Sequence, residues 1–337
     1  MANAHSFPLL RLPNLAREHV VKVMNVREQY NFSKLSKKSK IVAKNGTRLT
    51  SYVYDLILYS GFTVVSVKKR ACRQELHIEI VPNEDHFPED ASNVICLRVE
   101  DVREQSIGTL VFLVDLFKIS RFKLETQRTP NEFAKDFLVM VRNLDIVIDE
   151  LKVQAEDDGN QNEMYGWVME NCRDVRRLNN YCSITPDFEW DSEQPSNFES
   201  CYLERAPFLT SGHLTRLFWN CRLFQTMDNN HKITNHDLNQ LVKLWLTGSS
   251  KLEFVRINVN RSFNFQEVMT DIEKVPMESA YVQQYHIRFD LGKAFKIRQE
   301  NGKEAVVCLR RDFVITTHFN EEYCDLWPEY EPGSFKE

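Results

Sequence analysis

Four groups of residues have the side-chain types that site chemistry requires. His231 and His236 could ligate a metal, and His213 with Cys221 could form a base and nucleophile pair. Asp187, Glu189, Asp191 and Glu193 could gather a hard cation, and Trp167, Trp219 and Trp245 could stack on a base or ligand. The spacings favour plainer roles. His231 and His236 are five apart, which is about 140° around a helix, so they do not share a face as i, i+4 ligands do. Cys221 falls on the apolar stripe of a helix, the acidic cluster lies in a polar stretch, and the three tryptophans sit on predicted helices where burial is the common outcome. The chain has 10 glycines. They form neither the dinucleotide-binding glycine pattern nor the phosphate-cradling loop of nucleotide hydrolases, and HExxH and GxSxG are absent. The expectation is a protein with no catalytic residue, cofactor or metal of its own.

The elements that would position any site begin with three short helices. Asn14 is placed to cap the first, with Leu15, Ala16, Val20, Val21, Val23 and Met24 at helical spacing. Val26 to Leu35 and Ser36 to Lys44 form the second and third. From Leu49 to about Glu125 the texture is that of strands. A hairpin is centred on Ser60-Gly61, and Leu76, Ile78, Ile80 and then Ile95, Leu97, Val99 alternate with polar residues, so an antiparallel patch is expected. Thr129-Pro130-Asn131-Glu132 reads as a capping box for a helix through Leu144, and Thr234 with Asp237 as another. Strand starts near residues 151, 181, 222 and 254 suggest irregular stacked βα units of the leucine-rich-repeat kind. Asn301-Gly302 marks a closing hairpin. The predicted fold class is α+β, divided as 1–45, 46–195, 196–320 and a tail, 321–337.

Length and composition fit this. The chain has 337 residues, 42% of them hydrophobic, enough for a substantial core. No apolar run approaches the ~20 residues that span a bilayer, and the amino terminus lacks the pattern of a secretory signal. Eight scattered cysteines without a CxxC pair suggest free thiols and a reducing compartment, cytoplasmic and/or nuclear. Residues 1–48 hold ten Lys and Arg against two acids, a surplus of +8, in a chain whose net charge is −5. Such a basic head suits an acidic protein or nucleic acid.

The segment from Phe7 to Lys40 carries a more specific pattern. Phe7, Pro8, Leu9, Leu12 and Pro13, then Val20, Val21 and Met24, then Leu35-Ser36-Lys37-Lys38, resemble the opening, middle and end of an F-box. Gln29 stands where that pattern has leucine, and Ser39 where tryptophan is frequent. Cys201 to Val259, with Leu238, Asn239, Leu241, Trp245 and Gly248 in order, and the tail from Phe295 to Phe319 resemble the F-box-associated domain, type 2, of nematode F-box families. The resemblance implies that the head binds the Skp adaptor and through it a cullin scaffold, and that the α/β part holds a substrate protein for ubiquitin transfer. Phe7, Pro8, Leu9, Leu12, Pro13, Leu15, Val20, Val21, Met24 and Leu35 would be the contact residues; the substrate surface stays unassigned. Independently of that name, a forty-residue bundle with apolar residues on more than one face needs a cover for some of them. Two alternatives remain open: an F-box scaffold outside any ligase, and a nucleic-acid binder using Lys34, Lys37, Lys38, Lys40, Lys44 and Arg48.

Overall fold

A computed structural model describes residues 9–70, 75–83, 94–156, 161–191, 194–259, 263–277, 281–282, 294–309 and 311–320. The chain forms two compact units, Met1–Asn160 and Gln161–Glu337, both mixed α and β. The boundaries read from the sequence near residues 45 and 195 therefore fall inside units.

In the first unit a 3-10 turn, Leu9–Arg11, leads into α1 (Asn14–Val23), α2 (Val26–Lys34) and α3 (Lys37–Thr47). Then come β1 (Tyr52–Tyr59), β2 (Thr63–Lys69), β3 (Glu75–Pro82), β4 (Val94–Val99), α4 (Val102–Leu116), β5 (Ile119–Thr129), α5 (Asn131–Asn143) and β6 (Glu150–Ala155). The strands order as β6-β5-β1-β2-β3-β4. Only the β1–β2–β3 meander is antiparallel; β1/β5, β5/β6 and β3/β4 are parallel, so the expected antiparallel patch is half of the sheet. Period-two alternation sets the faces. Tyr52, Tyr54, Leu56 and Leu58 of β1, with Leu76, Ile78 and Ile80 of β3, point to the helix-covered side and are buried. On the other side Asp55 lies opposite Ser66 and Lys123, and Lys123 opposite Glu150, giving a ladder of alternating charge.

α4 corrects the reading of that region as strand. Its apolar run, Gly108 to Phe117, fits either state by periodicity, but Asp101 accepts the Glu104 N–H at 2.9 Å and starts a fifteen-residue helix. The cap expected of Thr129 is also absent: its hydroxyl donates to Leu58 O at 2.7 Å, and Pro130 precedes α5 without a side-chain cap.

The second unit contains α6 (Gln161–Asn171), β7 (Arg177–Asn180), β8 (Ser200–Leu203), α7 (Ser211–Arg216), β9 (Leu223–Thr226), α8 (Asn235–Leu246), β10 (Phe254–Asn258) and α9 (Phe265–Val268). It continues with β11 (Val275–Met277), β12 (Tyr281–Val282), β13 (Ala294–Arg298), β14 (Glu304–Leu309), β15 (Asp312–Thr316) and β16 (Phe319–Asn320). β7, β8, β9 and β10 pair in parallel, followed by antiparallel β15, β14, β13 and β11, while β12 pairs with β16. The strand expected at Tyr181–Ile184 is instead β7, ended where Asn180 Oδ1 accepts the Cys182 N–H at 3.1 Å. β8, a strand the sequence reading did not place, fills the ladder: the parallel strands begin at residues 177, 200, 223 and 254, so 23, 23 and 31 residues apart.

One backbone device recurs at each step. Glu199 and Ser200 donate their N–H groups to Arg176 O, Arg222 and Leu223 to Glu199 O, and Glu253 and Phe254 to Arg222 O. The side chains of the same residues alternate in sign. Arg176 pairs with Glu199, Arg222 bonds Glu199 at 3.0 Å and Glu253 at 2.7 Å, and these arginines hold both carboxyls below the usual carboxylate range. α8 begins as the sequence predicts, with a reciprocal Thr234–Asp237 box, and Gly248 ends its turn at φ 75°. Ala294–Leu309 forms the expected closing hairpin. Among the described residues no helix is long and apolar enough to cross a membrane.

Candidate protein-docking site

The three amino-terminal helices are assembled by local capping. Asn25 and Glu28 close a box at the start of α2, each bond 2.8 Å, and Ser36 accepts the Ser39 N–H at 3.1 Å to start α3. Asn14, expected as a cap, is instead the first helical residue of α1, and its Oδ1 accepts from Arg17. Inside the head, Val21, Val26, Tyr30, Val42 and Ala43 are buried. α1 and α3 cross where Val21 meets Gly46, whose missing Cβ permits the approach.

The head is also tied to the rest of its unit. Thr47 Oγ1 donates to Leu116 O at 2.7 Å, and Lys40 and Lys44 both pair with Asp115, whose carboxyl they hold below its usual range. Tyr30 meets Phe112 edge-on at 5.8 Å, and the Lys34 and Lys40 ammonium groups lie 4.4 and 4.6 Å from the same ring. Gln29 and Ser39, the two departures from the F-box pattern, face inward and are buried.

Against this packed interior the outer surface stands out. Leu15 is 82% and Val23 70% exposed, and with exposed His19 between them they form an i, i+4, i+8 stripe along α1. Leu35, Ile41 and Leu49 are 75%, 62% and 80% exposed. Ile41 sits on the outer side of α3 with Lys37, Lys44 and Arg48, and Lys37, Lys38 and Arg48 have no hydrogen-bond or ionic partner among the described residues. The face is thus apolar along α1 and cationic with one apolar stud along α3. Such a face can bind, by burial and by attraction to negative charge.

The residues expected to contact a partner divide unequally. Pro13, Leu15 and Leu35 are exposed, Leu12, Val20 and Met24 half-buried, and Phe7 and Pro8 lie outside the described residues. Leu9 and Val21 are buried, Val21 completely, so in this structure they lie beneath the exposed face. Val23, Ile41 and Leu49 were not among the expected contacts. Stepping by four from Leu15 would have found Val23.

The chain is similar to the Skn-1 dependent zygotic transcript 15 protein of Caenorhabditis elegans. The two are 22% identical over 292 residues, which cover 77% of this chain and 83% of that protein. No family model matches the chain, and no solved structure matches it.

The other residues with chemical potential are committed to structure. His213 donates from Nε2 to Trp190 O at 2.9 Å and its Nδ1 lies 2.7 Å from Thr210 Oγ1, leaving no ring nitrogen for Cys221. Burial pushes the Cys221 thiol up to about 12, away from the nucleophilic thiolate. His231 donates Nε2–H to Asn258 O at 2.8 Å while its Nδ1 accepts from Ile233 N, which fixes the tautomer. In the acidic stretch, Glu189 pairs with Lys232 and Asp191 with Arg216; Glu193 lies outside the described residues. Trp245 is buried and donates to Leu252 O at 3.0 Å, whereas Trp167 and Trp219 are half-buried, Trp219 in the turn after α7. No group of three or more His, Cys, Asp or Glu among the described residues is arranged to hold a metal ion.

Proposed function

We propose that this chain is the substrate-recognition adaptor of an SCF-type ubiquitin ligase, with α1–α3 as an F-box that docks on the Skp adaptor and through it on a cullin. The α/β part holds a substrate protein, in the cytosol or nucleus. The observation that carries the reading is the Leu15–His19–Val23 stripe, exposed on a helix whose opposite side is tightly packed. Burying Leu15 and Val23 against a partner would contribute roughly 3–6 kcal/mol before the cost of association. The unpartnered cations of α3 favour a partner with negative charge at its rim. The parallel ladder of the second unit supports the irregular leucine-rich-repeat-like reading: two of its three steps are 23 residues, within the 20–29 of such repeats, and the third is 31. The chain would accelerate transfer by proximity, as a bridge, without covalent chemistry of its own.

A nucleic-acid reading is supported less well, because of the six cations it would use Lys40 and Lys44 are engaged by Asp115 and Lys34 by Phe112. Co-purification of the tagged full chain tests the proposal. Recovery of both the Skp adaptor and a cullin is expected. Skp without cullin would favour a scaffold outside the ligase, and nucleic acid alone would overturn the docking assignment.

A further inference from the structure

The buried amide of Gln29 joins three elements. Its Nε2 donates to Val21 O at 2.9 Å and to Met24 O at 3.2 Å, both at the carboxyl end of α1, where helix carbonyls run out of intrahelical partners. Its Oε1 accepts from the Tyr52 hydroxyl at 3.1 Å, and Tyr52 is the first residue of β1, fully buried with its ring 4.7 Å from that of Phe117. Both nitrogen protons and the carbonyl oxygen are thereby used. A second tie between α1 and the sheet, Lys69 Nζ to Lys22 O at 3.4 Å, is exposed and long. Thr47 to Leu116 and Lys40 and Lys44 to Asp115 tie α3, rather than α1, to α4.

We infer that Gln29 is a positioning residue: it fastens the end of α1 to the first strand, so that the Leu15–His19–Val23 stripe is presented at a fixed angle and opens only when the sheet opens. The value of this for function rests on the docking proposal above, but the joint itself does not. A stripe carried on an independently fraying helix would lose affinity by the fraction of time it is disordered. A leucine at position 29 would take the amide away from Val21 O, Met24 O and the Tyr52 hydroxyl; Val21 O would keep its 3.2 Å bond from the Met24 N–H, and the loss is felt most at the buried bonds.

Hydrogen exchange on the full chain tests the joint without any partner present, so its failure is separate from a failure to capture the Skp adaptor. In the unaltered protein, amides of α1 and of β1 should exchange through one common opening. Tyr52→Phe, which removes a single hydroxyl, should accelerate α1 amides about tenfold while β1–β3 stay unchanged, and Gln29→Leu should accelerate them further. A merely stabilising role would instead accelerate helix and strands together. That result, or an α1 that already exchanges faster than the sheet in the unaltered protein, would overturn the inference; should Gln29→Leu not fold, Tyr52→Phe decides alone.

Discussion

Replacing Gly46 by alanine sets two effects of known sign against each other. Alanine in place of glycine in a helix normally stabilises by ~1 kcal/mol, somewhat less near a helix end. At Gly46, however, the new Cβ would lie 2.6 Å from Val21 Cγ1 and 2.7 Å from Val21 Cβ, with Glu18 O at 3.3 Å. Carbon atoms prefer about 3.5–4.0 Å, so the overlap is roughly 1 Å. Val21 Cβ is attached to the backbone and cannot rotate away, which leaves only a shift of α1 from α3. Overpacking of this kind costs ~1–3 kcal/mol, so Gly46→Ala should lose the whole helix gain and be destabilising by up to about 2 kcal/mol. Gly108, in α4, supplies the control, because its added Cβ would meet nothing within 4 Å. Gly108→Ala should therefore stabilise by ~0.5–1 kcal/mol. Urea unfolding of the two variants, with m-values compared to exclude changes in the unfolded state, reads both signs. If Gly46→Ala were as stabilising as Gly108→Ala, the close crossing of α1 and α3, and with it the assignment of Val21 to the interior, would be refuted.

Acidification should weaken the second unit before its carboxylates titrate. Burial lowers His213 and His231 below their ordinary 6.5, so unfolding lets each take up a proton. Their contribution is present above pH 6.5 and is lost as pH falls from there towards the folded-state values, so the melting temperature should drop between pH 7.5 and 5.5; a flat or rising profile would contradict the buried neutral histidines. Native alkylation at pH 8 should modify Cys96, which is exposed, and spare Cys201, Cys221 and Cys308, all raised by burial, the last two to about 12. Peptide mass mapping distinguishes them, and rapid labelling of Cys221 would sink its assignment to the core.

Local signals with a mechanism transferred well from sequence to structure. The Thr234–Asp237 box, the Asn301-Gly302 hairpin and the alternating β1 and β3 strands depend on neighbouring residues alone. Elsewhere the deciding partner is distant. α1 carries apolar residues around most of its circumference, and what makes Val21 internal and Leu15 external is Gly46, twenty-five positions later. Gln29 reads as a polar intruder until Tyr52 is brought to it by the fold. α4 was concealed because an apolar run satisfies both periods, although Asp101 and Glu104 carried a capping signal. β8 is four residues, Ser-Cys-Tyr-Leu, too short to carry a period of its own, and it becomes a strand through the ladder on both sides.

Binding of the purified Skp adaptor to the full chain, measured by titration calorimetry for the unaltered protein and for Leu15→Asp with Val23→Asp, bears most directly on the function. Because both side chains are exposed, the double variant should melt at the unaltered temperature while binding weakens at least ~100-fold, the equivalent of about 3 kcal/mol. Equal affinity of the two proteins, or no binding by either, would contradict the docking account.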